Sequence, residues 1–532
     1  MTDIQITDVL VVGAGPVGLT LAIDLARRGI ACRIIEQAST YQIGTRGRGI
    51  SLRSQEVFED LGVLAALFPY DESIGPGRTY DHDKLVSESN PASFFPAVPP
   101  PYRPILMLNQ QHTEAKLRER LASYGLNVEL GCQLVSFTQD AERVVAKVAN
   151  TGQSAEIQAR YLVGCDGGHS TVRKCAGISF LGETWDEEHF LLANVSVSGL
   201  DTSFSYTWGN LTGEGLTLQW MSHSNTWFFS ATVSLDEHAT LPIPTLETLQ
   251  RLFDERAGMP GVRLSNPTWL STWRPNIRMV DRYRTGRIFL AGDAAHVHSA
   301  AGGQGMNTGV QDAYNLGWKL AQVLHGAPDT LLDTYQAERL PVAEGVLATT
   351  STRHREYQRD FSQAVKTLLS GKETFADPSQ LSITYRGSSL ARDLDGTTSI
   401  RAGDRAPDAS CVRAGSDEQV RLFDLFHGTH FTLLTFGDQP APQLPAAYHD
   451  FLRAYTVTRA GNMTAISDHT LVDSDGHAYR AYGITGDALI LVRPDGYIGL
   501  TGGMIDREPI IDYLRNVTGD DVQRPRFRIA GA

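Results

Sequence analysis

Apolar and polar positions along this chain fall into three similar blocks, each a short apolar run that ends abruptly in glycine. The first is Asp8-Val9-Leu10-Val11-Val12 followed by Gly13-Ala14-Gly15-Pro16-Val17-Gly18. It predicts a buried parallel strand that turns into a helix, with Gly13 at the tight turn, Gly15 where backbone meets a pyrophosphate and Gly18 at the helix–strand contact. The helix carries Thr20 to Arg28 and stops at Gly29; its N-terminal N–H groups face the phosphates. A second strand, Cys32-Arg33-Ile34-Ile35, delivers Glu36 where a carboxylate accepts hydrogen bonds from an adenosine ribose. A further helix is expected over Ser54 to Leu61, stopped by Gly62, and an amphipathic one over Thr113 to Tyr124. Between them, residues 70–104 are rich in Pro, Gly and Ser and read as irregular, with Pro99-Pro100-Pro101 a stiff segment. Strands near 127–137, 143–149 and 155–163 return the chain to the first sheet.

The second block is Tyr161-Leu162-Val163 ending in Gly164-Cys165-Asp166-Gly167, where Ser170 caps a short helix and Asp166 is the polar group expected to face a ligand. The third is Ile288-Phe289-Leu290 ending in Gly292-Asp293, continuing through Gly302-Gly303-Gln304-Gly305-Met306-Asn307 into a helix over 308–324. Asp293 suits the hydroxyls of a ribityl chain, and the helix start presents N–H groups to an anionic acceptor such as a reduced flavin. His296 and His298 have no third ligand nearby, so no metal site is expected. Residues 180–280 read as alternating strands, with Trp208, Trp220, Trp227, Phe228, Phe229 and Trp269 among them. Together they predict an aromatic-lined pocket that excludes water. Arg46 and Arg48 lie on a glycine-containing loop, Thr45 to Ile50, near the nucleotide.

Length and charge narrow the class. A chain of 532 residues predicts two or more domains. A net charge of −13, from 47 basic and 60 acidic residues with no basic block, argues against nucleic acid or an anionic membrane as partner. Residues 9–26 are interrupted by Gly13, Gly15, Pro16, Gly18 and Asp24 and lack a basic leader, so neither a signal peptide nor a span is expected, and the cytoplasm is the expected compartment. Five cysteines without a CxxC pair or zinc spacing predict reduced, structural thiols.

Gly13–Gly18, Asp166-Gly167 and Gly292-Asp293, with the segment through Gly305-Met306-Asn307-Thr308-Gly309-Val310-Gln311-Asp312-Ala313, resemble the three fingerprints of the single-component aromatic hydroxylases, the para-hydroxybenzoate hydroxylase-like FAD monooxygenases. The resemblance covers roughly residues 5–390. It implies an α/β fold: a Rossmann-like FAD-binding domain of the glutathione reductase-2 type over 1–75, 105–185 and 281–395, with an inserted β-sheet substrate domain over 76–104 and 186–280. It also implies that Glu36, with Gln37 beside it, binds the adenosine ribose, that Arg46 and Gln110 contact the phosphate and ribityl region, and that Leu134 lies beside the adenine. Asp166 and Gly167 support the pyrophosphate, Gly292 and Asp293 the ribityl chain, and Gly303, Gly305, Met306 and Asn307 the isoalloxazine. Family members commonly have proline where Ala300 stands here.

Residues 396–532 resemble the thioredoxin-like C-terminal domain of the phenol and polyketide hydroxylase branches. Cys411 is the unit's lone cysteine, which leaves a structural or homodimer-forming role. With one dinucleotide fingerprint, NADPH or NADH is expected as a transient co-substrate. The implied activity is hydroxylation of a phenolic or polycyclic aromatic compound by O2 through a flavin C4a-hydroperoxide, with Arg46 as the candidate catalytic residue and Trp208, Trp220 and Trp227 as candidate pocket residues. Baeyer–Villiger or epoxidising oxygenation of a polyketide-like substrate, or an FAD reductase or dehydrogenase without oxygen insertion, are the alternatives.

Overall fold

The computed structural model describes residues 5–41, 44, 47–72, 75–90, 98–150, 153–184, 189–209, 215–235, 241–274, 276–297, 304–359, 377–396, 398–460, 467–503 and 507–519. Three large sheets, with a three-stranded and a two-stranded sheet between them in the chain, organise them. In the first, strands 288–290, 153–164, 5–12, 32–36 and 128–130 lie side by side in that order and all run parallel. Strands 132–139 and 144–150 extend it as an antiparallel meander. The central strand Gln5–Val12 is flanked by the second strand on one side and by Gln153–Gly164 on the other, so the chain reverses direction of winding at its carboxyl end. Open parallel sheets bind ligands at such a point. Val9, Leu10, Val11, Leu162, Val163, Ile288, Phe289 and Leu290 are all fully or almost fully buried, as expected of strands covered on both faces.

The second sheet has seven strands, in the order 263–273, 189–198, 226–233, 216–221, 205–208, 77–81, 84–89. Its last two strands come from the stretch read as irregular. Gly77–Asp81 and Lys84–Ser89 form an antiparallel hairpin, with His82 at positive φ in the turn, and the first of them pairs in parallel with Ser205–Trp208. The polar composition that suggested a loop reflects an exposed edge strand, a position that natural sheets keep polar. The other face of this sheet's core is covered by the helix Leu246–Ala257, against which Trp208, Leu218, Trp227 and Phe229 pack.

The third sheet, near the C-terminus, has eight strands centred on Phe431–Phe436, which is buried along its whole length and pairs in parallel with Leu452–Arg459 and antiparallel with Ala488–Val492. It docks on the helices that pack behind the first sheet through buried charge. Arg493 donates to both oxygens of Glu338, at 2.6 and 2.9 Å, and Lys319 donates to Glu338 at 2.7 Å; Asp495 accepts from Arg493 and from Trp318. All four charged side chains are essentially without solvent exposure. Burial pushes Glu338 up, but the Arg493 and Lys319 cations outweigh it and hold the carboxyl far below its usual range; burial pulls Lys319 down to about 8 against the pull of Glu338. Around this centre, Arg405 pairs with Glu56 and Arg421 with Glu59, while Trp318 meets Phe431 edge-on at 5.9 Å. Among the described residues no helix is long and apolar enough to cross a membrane.

Glu338→Gln takes the carboxylate from buried Lys319 and leaves buried Arg493 with Asp495 alone, and is expected to lower stability by about 3–5 kcal/mol at pH 7, read from urea unfolding. Because the folded-state Glu338 ionises below its unfolded value, its stabilisation is fully present above about pH 4.5 and is lost as pH falls. The gap between wild type and Glu338→Gln is therefore expected to narrow as the same titration is repeated from pH 7 towards pH 3.5. A constant gap would show that the carboxylate contributes nothing as an ion.

Candidate functional site: a dinucleotide cleft facing a sheet

The carboxyl ends of the three central strands meet in register, with Val12 beside Gly164 and Gly164 beside Leu290. Cys165 N donates to Val12 O and Ala291 N to Gly164 O, which stitches the glycine turns together. At Gly13, φ is +103°, and a Cβ there would lie 2.4 Å from Cys165 O; one on Gly18 would lie 2.0 Å from Gly13 O. These positions admit glycine alone. Gly15 differs: a Cβ there would meet nothing within 4 Å. The space beside it opens at the start of helix Pro16–Arg27, whose first N–H groups have no partner within the helix. This is a cradle of backbone N–H groups at a helix start, of the kind that binds a pyrophosphate.

Glu36 closes one end. Its two oxygens accept from Ala14 N at 3.1 Å and Ala38 N at 3.0 Å, which fixes the carboxylate over the cradle, with Gln37 the next residue along. Asp166 accepts from Ser170 Oγ, Thr171 N and Val172 N, so it caps the helix Thr171–Cys175 while remaining partly exposed beside Gly167. Burial pushes Asp166 above the usual carboxylate range against those donors, and burial with the neighbouring Asp166 charge keeps the Cys165 thiol protonated. Leu134 is buried on the meander. Asp293 is the exposed residue in an otherwise buried run from Gly292 to His296.

His296 has a structural place. Its Nε2 sits 2.7 Å from Asp312 Oδ2, Arg339 Nε donates to Asp312 Oδ1 at 2.7 Å, and Gly292 N donates to Asp312 Oδ2 at 3.0 Å, all fully buried. This triad anchors the Gly292 turn to the long helix Gly305–Leu324. At that helix's start, Asn307 accepts from Ser51 N and donates to Gly49 O, both at 2.9 Å. Gln110 accepts from Gly47 N at 2.9 Å, and Gly47 also lies against Met306. Asn307 and Gln110 thus hold the segment 47–51 against the cleft. Arg46 and Gly303, together with His298, Ala300 and Gly302, lie outside the described residues.

The seven-stranded sheet faces this segment. Trp269, Asn194, Phe228 and Gln219 stand opposite one another across four adjacent strands, forming one row on one face. Trp269 lies against Gly44, and Arg48 bridges to the far end of the row: Nη1 donates to Gln219 Oε1 at 2.8 Å and the guanidinium lies 4.9 Å from the Phe228 ring centre. The tryptophans proposed from sequence are not in this row. Trp208 and Trp227 are fully buried on the opposite face beneath helix Leu246–Ala257, where Trp208 Nε1 donates to His82 O, and Trp220 packs against Trp227 on that same side. Strand alternation is the reason: Trp227 and Phe228 are consecutive, so they point to opposite faces. Glu72 lies near Arg48, its oxygens taken by Ser222 N, Ser222 Oγ and His223 N. Burial pulls Arg48 down to about 10 and the Glu72 charge pushes back, which leaves the side chain a cation at neutral pH.

The architecture matches known proteins over nearly its whole length. Residues 6–350 match the FAD binding domain family and residues 399–520 the family described as aromatic-ring hydroxylase, C-terminal. A flavin-dependent monooxygenase of Mycobacteroides abscessus is 42% identical, covering 96% of this chain and 99% of the relative. The chain belongs to the FAD-dependent monooxygenases. Pentachlorophenol 4-monooxygenase of Sphingobium chlorophenolicum is 32% identical over 93% of this monooxygenase and 94% of the relative. Among solved structures, a ternary complex of aklavinone-11 hydroxylase with FAD and aklavinone superposes with a TM-score of 0.80 at 28% identity, covering 97% of this chain and all of that one. FAD is accordingly the cofactor of this monooxygenase, with O2 and a reduced nicotinamide as co-substrates.

Gly15→Ala separates fold from cofactor. Its backbone, φ −74°, suits alanine, and its Cβ meets no protein atom, so the apoprotein should melt within about one degree of wild type. Flavin affinity, followed by quenching of FAD fluorescence, should fall at least about tenfold because the methyl occupies the pyrophosphate's approach.

Proposed function

We propose that this monooxygenase hydroxylates a phenolic or polycyclic aromatic compound, holding FAD along the strand ends and the substrate against the Trp269–Asn194–Phe228–Gln219 row. The observation that carries this reading is that row: an apolar and amide-bearing sheet face set opposite the start of the long helix, with the dinucleotide cradle beyond it. Two relatives support the aromatic class by their names, one acting on pentachlorophenol and one on aklavinone.

In this reading Gly13, Gly15, Pro16, Val17 and Gly18 receive the pyrophosphate on the first helix, and Glu36 and Gln37 the adenosine ribose. Leu134 flanks the adenine. Asp166 and Gly167 border the pyrophosphate, and Gly292 and Asp293 take the ribityl hydroxyls. Gly305, Met306 and Asn307 form the edge on which the ring system rests, where the N-terminal dipole of a twenty-residue helix favours negative charge. Gln110 steadies the facing loop. FAD, when bound, supplies the redox chemistry of oxygen insertion. The chain contributes orientation, and an apolar sheet face that limits water around the bound ring would suppress loss of reducing equivalents to O2 as peroxide. The C-terminal unit, read as thioredoxin-like, is assigned a structural role. Its Cys411 is buried, with the thiol pushed up to about 12 by burial, and its buried ion pairs brace the helices behind the cleft.

The test is NAD(P)H oxidation in air by the FAD-loaded enzyme across phenols, hydroxybenzoates, phenylpropanoids and polycyclic quinols, with product masses measured under isotopically labelled O2. The expected result is substrate-stimulated oxidation and one labelled oxygen on an aromatic ring. Equal turnover without O2 on an artificial acceptor, with no labelled product from any substrate, would refute it. A labelled oxygen inserted into a ring as an ester would reassign the reaction as Baeyer–Villiger chemistry.

A further inference from the structure

Arg48 carries an unused recognition surface. Its Nη1 is committed to Gln219, while Nε and Nη2 are enclosed and have no hydrogen-bond partner among the described residues. The residue as a whole stays partly exposed, on a loop that joins the start of the long helix to the sheet face. A desolvated cation with two idle donors is costly unless an acceptor arrives. Glu72, the nearby carboxylate, does not provide one, since it accepts from Ser222 N at 2.6 Å, Ser222 Oγ at 2.8 Å and His223 N at 3.3 Å.

The two idle donors share one edge of the guanidinium plane. Nε–H and Nη2–H project side by side and match two coplanar oxygens, a geometry that lysine cannot reproduce. The plane itself is fixed from two sides, by the Gln219 hydrogen bond and by the Phe228 ring. Its backbone is fixed as well: Gly47 N donates to Gln110, and Gly49 O accepts from Asn307 at the start of the long helix. The fork therefore stands rigidly at the junction between the helix edge assigned to the flavin ring and the sheet face assigned to the substrate.

We propose that Arg48 determines substrate specificity by binding, side-on through Nε and Nη2, a planar pair of oxygens on the aromatic substrate, either a ring carboxylate or the paired oxygens of a deprotonated hydroxy-ketone. This inference rests on the aromatic monooxygenase reading and names the class of substrate that the cleft selects.

The FAD-loaded full chain is titrated with 2-naphthoate against its neutral isostere 2-naphthamide, and with 1,8-dihydroxyanthraquinone against 9,10-anthraquinone, following the flavin absorbance change. In wild type at least one oxygen-paired probe should bind ten times tighter than its control or better, and which of the two does so identifies the oxygen source. Arg48→Met should abolish that preference and Arg48→Lys should keep only a minor part of it, with the affinities of the two controls changed less than twofold. Gln219→Leu, which releases the guanidinium plane, should weaken the preference several-fold. FAD content and melting midpoint are read for each variant; if Arg48→Met loses FAD, the charge-conserving Arg48→Lys and Gln219→Leu decide. A preference that survives both of these, or none in wild type, overturns the inference. Labelled-oxygen insertion without any Arg48 dependence of binding removes the inference and leaves the reading of function intact. Arg48-dependent binding with no oxygen insertion into any aromatic compound does the reverse.

Discussion

Close approach of two helices governs this molecule. The first helix, Pro16–Arg27, and the long helix, Gly305–Leu324, cross so tightly that a Cβ on Gly309 would lie 2.6 Å from Val17 Cγ2 and 2.9 Å from Gly292 Cα, and one on Gly317 2.3 Å from Asp24 Oδ2. Asp24 cannot yield, because it is fully buried and held by Arg27 and Arg28. This contact brings two helix N-termini to the same edge of the parallel sheet, one beside the open cradle at Gly15 and one beside the loop 47–51. Two positive dipole ends converging on one cleft are what an elongated, anionic dinucleotide requires.

Buried charge holds that arrangement from behind. Asp312 joins His296, Arg339 and the Gly292 turn, and Glu338 joins Lys319, Arg493 and Asn315. Ions out of water are tolerable only when nearly every donor and acceptor is matched, and here the matching partners come from separate units of the chain. The C-terminal sheet is thereby fastened to the long helix and its neighbour Asp333–Arg359, and the helices that define the cleft have little freedom to separate. Arg48 is built differently. It is a partly exposed cation whose Nε and Nη2 are enclosed without a hydrogen-bond partner among the described residues, and incomplete matching inside a rigid frame is the physical form that a recognition site takes.

The strand–glycine–helix units at Gly13, Gly164 and Gly292, the acidic residues Glu36 and Asp293 that follow their strands, and through them the cofactor, are legible in the amino-acid order alone. Each of these depends on neighbours within a few residues, where hydrophobic period and glycine sterics act directly. Which face of the seven-stranded sheet meets the cleft is set instead by packing between distant segments. A run of consecutive apolar residues such as Trp227-Phe228-Phe229 is compatible with either orientation, and the covering helix 246–257 takes the Trp208 and Trp227 side while Phe228 faces the loop. The hairpin 77–89 likewise became legible only from the sheet edge it joins. Arg48 stood in plain view on its glycine loop, but its partner Gln219 lies 171 residues away, and no local pattern tells a solvated arginine from one whose free edge is enclosed. Local sterics fix how each turn is made; burial and pairing between distant segments fix which side chains are left for a ligand.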